Sequence, residues 1–146
     1  MDKVEKVVAY IVRGRQLLVF IHEEDRNPVD ESGLQVPAGT CEPDERPEVA
    51  ILREAHEETG LDNLRIVKYL GDTDYDLRPY ADKIQHRHFF QLAVETPVPD
   101  QWVHIETSGG KGPGHPFKFY WLPIERGHAL AGGQGALLGK VEHSDT

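Results

Sequence analysis

Two apolar runs rich in β-branched residues, VEKVVAYIV at 4–12 and QLLVFIH at 16–22, flank the tripeptide Arg13-Gly14-Arg15. That pattern predicts a β-hairpin with the glycine at its turn. The polar stretch EEDRNPVDESG at 23–33 contains Pro28 and Gly33 and predicts a loop. A short strand is expected at 34–36 (LQV), leading through Pro37-Ala38-Gly39 into a second acidic loop that ends at Arg46. From Pro47 to Thr59 the residues are mostly good helix formers. Pro47 suits the first helical position, where an N–H would have no intrahelical acceptor, and Gly60 suits a left-handed stop. Further strands are expected within 64–77, over 86–95 and over 117–122, with a turn-rich region around Arg78-Pro79-Tyr80. The segment SGGKGPGHP at 108–116 predicts an irregular loop. The Leu/Ala spacing at 125–140 is compatible with a helix, weakened by its glycines. The order β-β-β-α-β-β-β-α implies one α/β domain over 1–146, a mixed sheet with helices on its faces. There is no internal repeat and no linker.

Composition narrows the class. With 38% hydrophobic and 28% charged residues the chain reads as a soluble globular protein. Its longest apolar run, VVAYIV at 7–12, is strand-sized and far short of the ~20 residues of a membrane-spanning helix. The N-terminal MDKVEKVV alternates charge with valine and lacks the apolar centre of a signal peptide. A single cysteine, Cys41, excludes an internal disulfide, and together these features lead us to expect a cytoplasmic protein.

The net charge of −9 is local: residues 23–31 carry −4, residues 42–58 carry −5, and the remainder is balanced. Such a surface repels nucleic-acid phosphate, so a passive nucleic-acid binder is not expected. The second block is the more informative. On a helix, Glu54, Glu57 and Glu58 stand at i, i+3 and i+4 and share one face, while Ile51, Leu52 and Ala55 form an adjoining apolar face. Like-charged neighbours at this spacing cost roughly 0.2–0.5 kcal/mol each. Arg53 offsets part of that through Glu57, but one guanidinium cannot neutralise three acids. Exposed glutamates are the ordinary explanation for such a run. Clustered carboxylate oxygens also suit a hard divalent cation such as Mg²⁺ or Mn²⁺.

The surrounding residues decide between those readings. GTCEPDERPEVAILREAHEETGL at 39–61 matches the pattern G-x5-E-x7-R-E-U-x-E-E-x-G-U, with U apolar, at Gly39, Glu45, Arg53, Glu54, Ala55, Glu57, Glu58, Gly60 and Leu61. Seven fixed residue types at ~7% each coincide at roughly one start point in 10⁸. The segment resembles the Nudix box, the signature of the Nudix (MutT-like) hydrolases. Pro37 before the box and Trp121-Leu122-Pro123 late in the chain extend the likeness in outline. The resemblance implies a Nudix fold, a mixed β-sheet sandwiched between α-helices, and hydrolysis of nucleoside diphosphates linked to another moiety, with Mg²⁺ or Mn²⁺ as cofactor. It also implies that Glu54, Glu57 and Glu58, with the Gly39 carbonyl, hold the metal. Glu57 is the candidate base toward water, and Arg53 with Glu45 forms an ion pair that orients the glutamates. Gly39 and Gly60 are expected to serve the backbone at the loop entry and the helix stop.

One feature departs from the family pattern. Some members carry a further glutamate just before the late tryptophan; here those positions are Lys118, Phe119 and Tyr120, leaving Glu106 and Glu125 as substitutes, each more readily explained as a surface acid. His86 and His88 alternate on one strand face with the spacing of a ligand pair, but no cysteine or third histidine accompanies them, so they and Arg87 are expected to be exposed strand residues. Trp102 and Trp121 are able to stack on a base, with core packing expected for Trp121. Cys41 is expected to be a small loop residue. Lys111 and His115 lie in a glycine-rich loop without a P-loop motif. Tyr75, Tyr80 and Pro79 fall beside the subgroup-marking positions, and Pro37-Ala38-Gly39 is mildly similar to nucleotide-sugar members, so the substrate beyond a small-molecule nucleoside diphosphate derivative is undecided. A second copy of the chain is the candidate protein partner, as a homodimer. The rival classes are a non-catalytic nucleotide-binding Nudix-like module, which typically loses box glutamates, and an RNA 5′ pyrophosphohydrolase, which the acidic surface disfavours.

Overall fold

The valine-rich start becomes strand β1 (Asp2–Arg13), and its place in the fold explains its composition. In a computed structural model describing residues 2–22, 33–106 and 114–142, Val7 to Ile11 are all buried. Val7, Ala9 and Ile11 enter one core cluster while Val8 and Tyr10 enter another on the opposite face. A strand covered on both faces reads as continuously apolar rather than alternating.

The remaining strands are β2 (Gln16–His22), β3 (Ala38–Thr40), β4 (Leu64–Asp76), β5 (Lys83–Val94), β6 (Gln101–Glu106) and β7 (His115–Pro123). They form one sheet in the order β4-β5-β1-β2-β7-β6, with β3 paired to β1 off that path. The sheet is mixed as expected: β1 runs parallel to β5, and the other pairs are antiparallel. The β1–β2 hairpin turns at Gly14, whose φ of 60° lies in the left-handed region. β3 pairs with β1 at residues 6–8 and β2 pairs with it only at 12–13, so the sheet forks beyond Val8.

The one α-helix among the described residues, α1 (Pro47–Thr59), packs Ala50, Ile51 and Ala55 into the first cluster beside Phe20, Phe90, Phe119 and Trp121. Pro47 opens it and Gly60 closes it at φ 76° with its N–H donating to the His56 carbonyl, as the sequence predicts. Burial of Trp121 likewise agrees with expectation.

Three expectations need correction. The LQV segment is not a strand of its own; Gln35 alone bridges to Phe20, and the regular pairing starts at Ala38. The tail expected as a second helix forms only two short 3₁₀ turns, Ile124–Ala129 and Leu138–Lys140, because Gly132 and Gly133 between them take positive φ. That tail still covers the second sheet face, held by side chains: Tyr10 Oη donates to the Gln134 carbonyl, and Gln134 Oε1 accepts from Val36 N–H at 2.8 Å. The layers are therefore helix, sheet and an irregular tail. Strand β6 has no counterpart in the sequence reading. Its alternation of exposed Gln101, Val103 and Ile105 with half-buried Trp102, His104 and Glu106 was the available signal. The expected loops at 23–33 and 108–116 lie largely outside the described residues. No helix of the described residues is long and apolar enough to cross a membrane.

Candidate active site

The box loop and α1 are joined through one guanidinium. Arg53 Nε and Nη2 donate to the two oxygens of Glu45, both at 2.8 Å, a forked pairing that only arginine makes. Nη1 donates to Glu54 at 2.9 Å and reaches Glu57 at 3.4 Å, and Nη2 also reaches the Thr40 carbonyl at 3.2 Å. Glu45 in turn accepts from Glu42 N–H at 2.9 Å, which closes the loop on itself. The hydrogen bonds from Arg53 hold the Glu45 carboxyl down at about 2, and the same pairing raises Arg53.

Glu54 lies directly over β3. A Cβ placed on Gly39 would stand 2.0 Å from Glu54 Cδ, so the glycine is required by space. Its φ is not positive, so the box glycine and the capping Gly60 are there for different reasons. Glu58 is buried, and among the described residues its only hydrogen-bond donor is Ala38 N–H, shared between both oxygens at 3.3 Å. Burial pushes Glu58 well above the carboxylate range despite that bond, and it raises Glu54 despite Arg53. The neighbours add to this: Glu57 and Glu106 press on Glu54, and Glu54 and Glu106 press on Glu58.

Glu106, at the end of β6, is near enough for its charge to raise both Glu54 and Glu58. Glu125 stays exposed on the first 3₁₀ turn. The strand that delivers Glu106 also secures the helix end. Trp102 Nε1 donates to the Thr59 carbonyl and His104 Nε2 to the Glu57 carbonyl, both at 2.9 Å, satisfying two acceptors that a helix C-terminus leaves without partners. A carbonyl can only accept, so His104 carries its proton on Nε2.

Next to Glu58 opens a cleft of about 230 Å³ lined by Lys6, Val8, Gln35, Ala38, Gln85, Arg87 and Gln134. Lys6 donates to Thr40 Oγ1 at 2.8 Å and is lowered by burial, against the pull of Glu54 and Glu58. Arg87 is buried, not an exposed strand residue, and its guanidinium stacks 4.1 Å from the Tyr75 ring centroid. Lys6 was missed by sequence reasoning; a lysine interrupting the valines of β1 was the visible sign. His86 and His88 project from the other face of β5. A larger cleft of about 610 Å³ beside Arg13, Ile21 and Trp121 contains none of these carboxylates, so size alone does not locate the chemistry. Cys41 is half-buried with its thiol raised by burial, in keeping with a small loop residue.

A hard cation fits this site. The candidate donors are all oxygens, and Glu58 is a buried carboxylate whose one hydrogen-bond donor among the described residues, Ala38 N–H, is shared between its two oxygens.

Comparison with known proteins agrees with the fold and the motif. The NUDIX domain family model matches residues 3–134. The chain is a Nudix protein. Nudix hydrolases act on pyrophosphate bonds in small nucleoside diphosphate derivatives and generally use a divalent metal; this chain is a hydrolase acting on pyrophosphate bonds. Among solved structures, a MutT NUDIX hydrolase from Burkholderia pseudomallei aligns with TM-score 0.71 and 17% identity over 97% of this chain and 100% of that one. A UDP-X diphosphatase aligns with TM-score 0.65 and 16% identity over 96% of this chain and 63% of that one. The E. coli ORF135 protein aligns with TM-score 0.65 and 22% identity over 96% and 89% of the two chains. At these identities the likeness concerns the Nudix fold. No curated protein matches the chain.

Proposed function

We propose that this Nudix hydrolase cleaves the diphosphate linkage of a nucleoside diphosphate derivative with Mg²⁺ or Mn²⁺ held by Glu54, Glu57, Glu58 and the Gly39 carbonyl. The observation that carries the reading is that Arg53 holds Glu54 and Glu57 on α1 while Glu58 of the same helix lines a cleft with half-buried Lys6 and buried Arg87. Negative oxygens alone would repel a diphosphate; Lys6 and Arg87 in the lining of the cleft attract it. The bound metal supplies charge neutralisation at the phosphoryl oxygens and an acidified water.

The chain's own residues supply the rest. Arg53 engages Oε2 of Glu57 at 3.4 Å, which leaves Oε1 to take the proton from the attacking water. A new bond forms from water oxygen to phosphorus as the bond to the bridging oxygen breaks, and the leaving phosphate carries the charge away. Lys6 and Arg87 offset charge on the phosphoryl oxygens, and the Glu45–Arg53 fork keeps the glutamates in register with β3. Glu106 is a fourth carboxylate available to this site.

The test is hydrolysis of nucleoside triphosphates, ADP-ribose, diadenosine polyphosphates and nucleotide sugars with Mg²⁺, following phosphate release. We expect turnover of at least one, falling ~10²–10⁴-fold in Glu57→Gln. Unchanged turnover in that variant would remove Glu57 from the base role. No turnover on any of them, with ligand binding retained, would favour a nucleotide-binding module.

A further inference from the structure

A second set of metal-ligating side chains stands on the face of the sheet opposite to Lys6 and Arg87. In the parallel pairing of β1 with β5, Glu5 lies opposite His86 and Val7 opposite His88. Side chains alternate along a strand. Val7, Phe90 and Leu92 belong to the core cluster under α1, so Glu5, His86 and His88 share that face, whereas Lys6 and Arg87 line the cleft.

Three ligand atoms converge there. Glu5 Oε1 is 2.9 Å from His86 Nδ1 and 3.0 Å from His88 Nε2, and the imidazole centroids are 4.5 Å apart. All three donor atoms lie within 4.8 Å of one another. Each ring is also held from behind: His86 Nε2 meets Asp72 Oδ2 at 2.6 Å, and His88 Nδ1 meets Tyr69 Oη at 3.0 Å, both partners coming from β4. A histidine whose far nitrogen is fixed by a carboxylate or hydroxyl, leaving the near nitrogen aimed at a shared point, is the arrangement found around bound metals.

We propose that Glu5, His86 and His88 form a second metal site that takes a borderline divalent cation such as Zn²⁺. The donor chemistry separates it from the carboxylates of α1. Two imidazole nitrogens and one carboxylate suit Zn²⁺ and its transition-metal neighbours, whereas Mg²⁺ and Mn²⁺ favour all-oxygen ligands. Charge also favours a cation, because Asp72 adds a second acid to the cluster while Lys3, two residues before Glu5 on β1, is paired with Asp74 at 3.3 Å. A cleft of about 330 Å³ lined in part by Glu5, Cys41 and Pro47 gives access from solvent. The side chains keep partial access to solvent: those of His86 and His88 are 23% and 14% exposed. An occupied site ties β1 to β5 directly and to β4 through Asp72 and Tyr69, so metal binding stabilises the fold. The rival reading is an imidazolium at His86 bridging Glu5 and Asp72 with no metal. This inference does not depend on the hydrolytic reading.

The experiment is calorimetric titration of ZnCl₂ into the full-length, tag-free, metal-stripped protein with excess Mg²⁺ present to occupy the α1 carboxylates. One Zn²⁺ per chain is expected, with a higher thermal midpoint. His86→Gln and Glu5→Gln abolish it while remaining folded by circular dichroism, and Asp72→Ala weakens it ~10–100-fold. The Glu54→Gln/Glu57→Gln double variant binds Zn²⁺ as the wild type does. Absence of binding, binding that survives His86→Gln, or binding lost in the Glu54/Glu57 variant instead would overturn the proposal.

Discussion

Gly39 and Glu45 show how single residues of the box act through others. The missing Cβ of Gly39 leaves room for Glu54, whose Cδ would lie 2.0 Å from it. Gly39→Ala forces Glu54 to move, so we expect kcat to fall ~10²-fold while circular dichroism stays native. Glu45 gives a prediction in pH. Its folded value of about 2 lies below the ordinary 4.5, so the stabilisation from its pairing with Arg53 is complete above 4.5 and disappears as pH falls toward 2. Urea unfolding of Glu45→Gln across that window is expected to show a shallower acid loss than the wild type. Parallel curves would mean that the Arg53–Glu45 fork does not contribute to stability.

At the scale of elements, α1 owes its placement to a strand that follows it by some forty residues. Ala50, Ile51 and Ala55 bury one side of the helix, and Trp102 and His104 of β6 bind the carbonyls at its end. Trp102→Phe keeps an aromatic ring against Phe119, now stacked at 5.2 Å, but removes the donor to the Thr59 carbonyl. We expect that variant to lose ~1 kcal/mol in denaturant unfolding. The tail makes the converse point. Its Leu/Ala spacing is helical in pattern, yet positive φ at Gly132 and Gly133 breaks it, and Leu130, Leu137 and Leu138 reach the core from turns.

Across the whole molecule, burial and chemistry oppose each other at Glu58. Its raised pKa means that the carboxylate's contribution to stability is favourable below the unfolded value near 4.5 and is lost as pH rises. Burial thus works against the ionised form of Glu58 in the metal-free fold, and a divalent cation relieves that cost. Glu58→Gln keeps an acceptor for Ala38 N–H without the charge. We expect its metal-free thermal midpoint to equal or exceed that of the wild type, while Mg²⁺ no longer raises the midpoint and turnover is lost. In the wild type, Mg²⁺ at 100 times its Kd is expected to add about 2.7 kcal/mol. A metal-free Glu58→Gln protein clearly less stable than the wild type would show that the carboxylate is structural.

The sequence alone determined the hairpin, the bounds of α1, its buried face and the three glutamates of one turn. All of these depend on spacing within a few residues, where helix and strand periods dictate which side chains meet. Tertiary structure decided the rest. Lys6 and Arg87 share a cleft, and Glu5 meets His86 and His88, only because β1 pairs in parallel with a strand some eighty residues away. Glu106 comes near enough to act on Glu54 and Glu58 only because β6 packs against the helix end. No local period encodes such pairings; they follow from which faces find a common core, and that is settled by the chain as a whole.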